Sequence, residues 1–217
     1  MSKMIAPVDQ TQAWAVACAA YRLNGNEYFK VGQVPQGKKT NQELAREIMA
    51  NQDMLTTEDR EQGRQVRDYI SKVVTIATLK GTLDSWGQEM ARVSQLVEVE
   101  TSYDLHIIVS LPQTYARYLE RERVHERLNQ TSTDYVARIG DKLELDVEVL
   151  ENKWSQKWAT YYVTVVDTDN RAWYFAHRKS LNKGDQYTIR GTVKRLADRM
   201  VQLNRVKLVA HDNQTTT

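Results

Sequence analysis

Residues 142–149 read Lys142-Leu143-Glu144-Leu145-Asp146-Val147-Glu148-Val149, four apolar side chains alternating with four charged ones. That period of two is the signature of a strand with one face in a core and one in water. Four further runs follow before residue 209. Residues 160–167 are rich in Tyr and Val, and Asp167-Thr168-Asp169-Asn170 supplies a turn into 171–175, so these two runs predict a hairpin. Gly184-Asp185 precedes 186–193, where Ile189 and Val193 oppose Arg190 and Thr192, and 201–209 alternates again from Val201 and Leu203. Five strands in some seventy residues outnumber a hairpin and fall short of a sandwich. Closure into a small barrel removes their exposed edges.

The N-terminal part has a different period. Asp9 predicts an N-cap for a helix over 10–23, stopped by Asn24-Gly25. An irregular connection through Gly32, Pro35 and Gly37 leads to a second helix near Thr40, with Leu44, Ile48 and Met49 as its apolar stripe. A third starts at Thr57 and carries Val66, Tyr69, Ile70, Val73, Val74 and Ala77 at helical spacing as far as Lys80-Gly81. A fourth, over 84–97, places Trp86, Met90, Val93 and Val97 on one face, which reads as core packing. Leu105-His106-Ile107-Ile108-Val109 reads as a short strand or an extended link ended by Pro112, and 113–129 as a charged helix. Its alternating Glu and Arg residues read as a solvated face with i,i+4 pairs, with phosphate gripping as the alternative. The expected class is α+β: a mostly helical region over 1–130, a barrel domain over 131–212 and a disordered tail over 213–217.

Composition narrows the function. An apolar fraction of 41% and a charged fraction of 27% are those of a folded domain. No run approaches ~18 apolar residues, so no membrane partner is expected. The alanine-rich stretch 13–20 lacks the flanks of a signal peptide, and the expected location is the cytoplasm. The single Cys18 reads as a small buried hydrophobe. The four histidines are scattered and no metal or other cofactor is expected. Gly-rich phosphate loops are absent, and the acids of 144–148 have no His or nucleophile beside them, which argues against catalysis.

Charge is uneven. Residues 1–130 hold 16 Lys+Arg against 17 Asp+Glu, a net of −1, whereas 151–209 hold 12 against 5, a net of +7. Basic charge concentrated on the β-rich part points to a polyanion.

The strand order, with Gly140-Asp141-Lys142-Leu143-Glu144-Leu145-Asp146-Val147 and Leu181-Asn182-Lys183-Gly184-Asp185-Gln186-Tyr187-Thr188-Ile189-Arg190-Gly191-Thr192-Val193-Lys194, resembles the oligonucleotide-binding (OB) fold of phage and plasmid replication-associated proteins. The resemblance covers the last third of the chain, with an SH3-like barrel as the nearest rival. It departs at 176–185, too short for the helix many OB folds carry there, and the stretch after residue 210 lacks the acidic run with which many single-strand-binding proteins recruit partners. What it implies is a ligand across the second and third barrel strands, between the loops joining strands one to two and four to five. Those loops, 151–159 and 194–200, hold Lys153, Trp154, Lys157, Trp158, Lys194, Arg195 and Arg199. Arg171, Trp173 and Arg190 supplement the groove. Tryptophans stack on unpaired bases and cations neutralise phosphates, although either loop tryptophan reads equally well as a cap on the barrel core. The expected function is single-stranded DNA binding, RNA being possible, in an accessory to replication or recombination that is phage-encoded and acts in the host cytoplasm. The alternative is a module docking a protein partner through the helical region, around Trp86, Tyr115 and Tyr118.

Overall fold

A computed structural model describes residues 3–135, 137–197 and 199–209. The chain forms two compact units that divide within one long helix, between Leu119 and Glu120. His211 and the expected tail over 213–217 lie outside the described residues.

The first unit is helical. Strand β1 (Met4–Asp9) leads directly into α1 (Gln10–Leu23), whose N-cap is Asp9, accepting from the Gln12 amide. α1 is buried from Ala13 to Tyr21 because alanines let its neighbours approach closely. Helix α2 (Asn41–Ala50) and helix α3 (Thr57–Leu79) pack against it, each started by a capping box, Thr40 with Glu43 and Thr56 with Asp59. The tightest approach is at Gly63 of α3, where a Cβ would come 2.7 Å from the Ala15 amide nitrogen. Asp59 also takes two hydrogen bonds from the Arg22 guanidinium, at 2.9 and 2.8 Å, so the cap of α3 is tied to the end of α1. Cys18 is buried, and burial with the Asp59 carboxylate beyond it pushes its thiol up to about 12, leaving it a protonated hydrophobe.

Helix α4 (Ser85–Ser94) and strand β2 (Glu98–Thr101) complete the approach to α5 (Ser102–Asn129). The expected α4 face needs correcting. Gly87 and Val93 are buried and Met90 packs on the core, but Trp86 is 43% and Val97 78% exposed. The inward stripe runs through Leu83, Gly87, Met90 and Ser94, one position away from Trp86, and Val97 lies beyond the helix end.

The β1–β2 pair was not expected from sequence. β1 contains Pro7 and no alternation, and its partner lies some ninety residues away. The strand or link expected at 105–109 is instead helix, and Pro112 sits inside α5 rather than ending it. Leu105, Ile107, Ile108, Val109 and Leu111 all join the core of the helical unit. An apolar β-branched run of that length reads the same in a buried helix as in a strand, and burial here outweighs propensity and the hydrogen bond that proline removes.

The second unit is a closed barrel of β3 (Lys142–Ser155), β4 (Thr160–Asp167), β5 (Ala172–His177), β6 (Gln186–Leu196) and β7 (Val201–Val209). Strand order is β3-β4-β5-β7-β6, closing back on β3, with β5 and β7 parallel and every other pair antiparallel. β3 closes it by pairing with β6 along its first half and β4 along its second. The whole chain is α+β, and this topology is compatible with an OB-like fold. Val149, Val163, Val165, Trp173, Phe175, Ile189 and Leu203 fill the interior. The short link between β5 and β6 is non-helical, and Leu181 from it plugs the core, its carbonyl held by the Asn152 side chain at 2.7 Å.

Both loops proposed from the sequence are shorter than expected. β3 runs on to Ser155 and β6 to Leu196, so Lys153, Trp154, Lys194 and Arg195 lie on strands. A bulge between Val149 and Glu151 and another between Val193 and Arg195 shift the alternation by one residue, and a broken alternation reads as the end of a strand.

Candidate nucleic-acid interface

Register decides what the barrel shows outside. On β4, Val163 and Val165 point inward, so Tyr162 and Thr164 point outward. Tyr162 lies between Lys153 and Ala176, and Thr164 between Glu151 and Tyr174. The second row continues from Tyr174 to Gln202 on β7 and from Gln202 to Arg195 on β6. The outer face of β4 and β5 is thus a polar and aromatic surface with cations at its two borders. The β3–β4 tip, residues 156–159, adjoins one end of β4, whereas β7 starts beside Trp173, which pairs with Val165 near the other. Tyr161 and Val165 mark those ends, roughly 13 Å apart along the strand.

At the β3–β4 tip Trp154 is 53% exposed and Trp158 64%. Of the two readings the sequence left open, core cap and exposed ring, the structure gives the exposed ring for both. Trp154 leans on Tyr161 with ring centroids 4.8 Å apart, and Tyr161 itself packs on the barrel core. The Lys157 ammonium lies 5.2 Å from the centroid of the Trp158 ring. Lys153 turns back to Glu151 at 2.7 Å.

At the other border Lys194 and Arg195 are exposed, and among the described residues no carboxylate pairs with either, or with Lys157. Arg199, just beyond, is tethered: the Tyr135 hydroxyl lies 2.8 Å from the Arg199 carbonyl and 3.2 Å from that of Ala172. Burial is the main reason the Tyr135 hydroxyl is held above its ordinary pKa, so it stays a donor. The Arg199 guanidinium bonds the Asn129 side chain.

The other expected residues are placed elsewhere. Trp173 is 2% exposed, inside the barrel, with its indole N–H donating to Asp167 at 2.8 Å. Its outward neighbour on β5 is the half-buried Tyr174. Arg171 is held by Asp169 at 2.8 Å and by the Asp134 carbonyl at 3.1 Å. Arg190 lies on the outer face of β6, in a pair with Glu144 across β3. The structure therefore places Trp154, beside Tyr161 on the inward side of the hairpin, at the same tip as the Lys157–Trp158 pair, and Lys194 and Arg195 at the other border. Tyr162, Thr164, Tyr174 and Gln202, the floor between them, were not singled out as a surface, because alternation alone does not say which face of a strand turns inward.

Among the described residues no three His, Cys, Asp or Glu side chains are grouped to hold a metal, and no helix is long and apolar enough to cross a membrane. Comparison with protein-family models, with curated proteins and with solved structures returned no match.

Proposed function

We propose that the barrel is of OB type and binds single-stranded nucleic acid, with single-stranded DNA as its ligand, across the outer face of β4 and β5. The observation that carries this reading is the β3–β4 tip: two tryptophans more than half exposed, with a lysine beside them that has no acidic partner among the described residues. Exposing two indoles forfeits the burial that tryptophan otherwise gains, and each flat face suits an unstacked base. Lys194 and Arg195 take the phosphates at the opposite border. The site then holds and orders a strand without chemistry on it, which suits a non-catalytic accessory of replication or recombination.

Titration of a fluorescent oligothymidylate against matched duplex, followed by anisotropy at two salt concentrations, tests this directly. Tight single-strand binding that weakens with salt and quenches tryptophan fluorescence is expected. No binding at micromolar protein, or binding indifferent to salt, overturns it.

A further inference from the structure

The strongest remaining feature is on the opposite side of the barrel from β4 and β5, where β3, β6 and β7 turn their outer faces to water. Two cross-strand rows lie there, Lys142–Thr192–Asn204 and Glu144–Arg190–Lys207. Arg190 and Lys207 face one another directly, a like-charge pairing that disfavours the sheet and that Glu144 offsets through its pair with Arg190.

Both bulges of the β6–β7 ladder add charge to this side. Arg190 pairs with Lys207 and Thr192 with Asn204, so Gly191 opposes two residues, Arg205 and Val206. Val206 takes the inward position, where a Cβ on Gly191 would meet its Cγ2 at 3.1 Å. Arg205 is the extra residue, left-handed at φ 53, and it is exposed like Lys207, while Asn204 beside it is half-buried with its side-chain oxygen covered. On β6 the same happens once more. Val193 pairs with Leu203 and Arg195 with Gln202, which leaves Lys194 as an added exposed residue beside Arg195. Bulges commonly re-aim side chains, and here each inserts a cation on the outside of the same two strands. Lys142, Arg205 and Lys207 line a shallow hollow of ≈ 520 Å³ with Arg190 and Glu144. Among the described residues none of those three pairs with a carboxylate. No aromatic side chain lies in either row, so the face offers charge and no base-stacking platform.

From this we infer a second phosphate-binding face: a single strand held at the β3–β4 tip continues past Arg195 and Lys194 and lays its backbone on Lys142, Arg205 and Lys207. Continuity decides the occupant. The Gln202–Arg195 pair ends the row on the front face, and Lys194, one residue away, begins the basic band leading to Arg205. The inference rests on the single-strand reading above and extends it from one face of the barrel to two.

The test compares oligothymidylates of about 6 and about 16 nucleotides, both within the range one OB fold covers, on the full chain and on the triple variant Lys142→Ala, Arg205→Ala, Lys207→Ala. The short strand reaches only the front face, so its affinity is expected to change less than about two-fold. The long strand is expected to lose about ten-fold or more, and its slope of log K against log salt to shrink by about 2, since each phosphate contact on a single strand contributes about 0.7. The charge-keeping variant Lys142→Arg, Arg205→Lys, Lys207→Arg is expected to restore long-strand binding, which separates lost charge from a damaged fold. Equal long-strand affinity and slope in wild type and triple alanine variant overturn the second face and leave the front one standing. Loss confined to duplex binding assigns the face to a duplex and overturns it too. Failure of the wild-type chain to bind either strand overturns the underlying reading, and this one with it.

Discussion

The helical unit and the barrel use the same charged residue types in opposite ways. In the helical unit the most buried acids are matched: Asp59, 1% exposed, holds Arg22, and Asp104 holds Arg92 at 2.6 Å. These pairs tie one segment to another, α1 to α3 and α4 to α5. In the barrel the acids that do pair, Glu144, Glu151 and Asp169, take Arg190, Lys153 and Arg171, and cations are left over at both borders of β4 and β5. The difference teaches that a basic excess becomes informative only when position is added to it. The buried acids of the first unit are neutralised in building a fold, whereas the cations left over in the second face water, Lys157 beside an exposed indole.

The sharpest way to break this comparison starts from a buried tryptophan. Trp14, 1% exposed in the centre of α1, is expected to cost about 3–5 kcal/mol as Trp14→Ala, read as loss of the helical unit's unfolding transition in denaturant. Its indole nitrogen is buried with no partner among the described residues, so Trp14→Phe is expected to cost much less than Trp14→Ala, since an unsatisfied donor leaves with the lost ring area. Comparable costs for the two substitutions would show that the orphaned N–H is not a liability.

Asp59 comes next, with Asp59→Asn expected to cost about 2–3 kcal/mol through the lost charge on its bonds to Arg22 and Thr56. Burial alone would raise the Asp59 carboxyl, but the hydrogen bonds from Arg22 and Thr56 outweigh it and hold the group below its ordinary value. A carboxyl lowered on folding stabilises fully above its unfolded pKa of about 3.9, and that contribution is lost as pH falls through the lower folded value. The melting temperature of the helical unit is therefore expected to drop as pH falls below about 4, and Asp59→Asn to flatten that drop. An unchanged acid limb in the variant would assign the drop to other carboxyls.

The exposed tryptophans supply the opposite result. Trp154→Ala and Trp158→Ala are each expected to move unfolding by less than about 0.5 kcal/mol, while weakening single-strand binding by about 1–3 kcal/mol, or about 5- to 150-fold. If either variant instead destabilises the barrel by several kcal/mol, the tip is structural and the contrast between the two units collapses.

How much of this was legible beforehand follows from which signals are local. Helix starts at Asp9, Thr40, Thr56–Thr57 and Asp84 were readable because a cap and its first turn lie within four residues. Four of the five strands were placed to within a few residues, and β3 was recognised by its first half alone. Non-local effects stayed hidden. The fate of Ile107, Ile108 and Pro112 depends on a core assembled from α1 and α3, and β1 finds β2 across the intervening helices. The candidate site was half legible. Tip aromatics and cations stood out by composition, but Trp154 and Trp173 are alike as letters, and only the register sends one to water and the other to Asp167. Bulges concealed the rest, because a one-residue slip erases the alternation that would have kept Lys194 on a strand rather than in a loop and marked Arg205 as outward-facing.

The smallest predicted effect concerns backbone strain, which the two units also distribute unequally. Among the described residues four non-glycines have positive φ: Asn26 in the helical unit, and Ala159, Asn170 and Arg205 in the barrel. Asparagine tolerates that region, whereas alanine and arginine meet the full Cβ penalty, of the order of 1–2 kcal/mol. Both of those lie where binding is proposed, Ala159 directly after Trp158 and Arg205 at the β7 bulge. Glycine relieves the clash but loses more chain entropy on folding, about 0.5–1 kcal/mol, so Arg205→Gly is expected to stabilise the barrel by only about 0.5–1 kcal/mol. The same substitution deletes a cation, so it is expected to weaken long-strand binding while raising the melting temperature. Ala159→Gly separates the two consequences, because it relieves strain and removes no charge. A gain in stability with binding retained in Ala159→Gly, against a gain with binding reduced in Arg205→Gly, would show that the φ 53 conformation at Arg205 is kept for the side chain it turns outward. Loss of stability on either substitution would mean that neighbouring contacts favour the left-handed residue as it stands, and that the bulge is a packing feature of Val206 over Gly191.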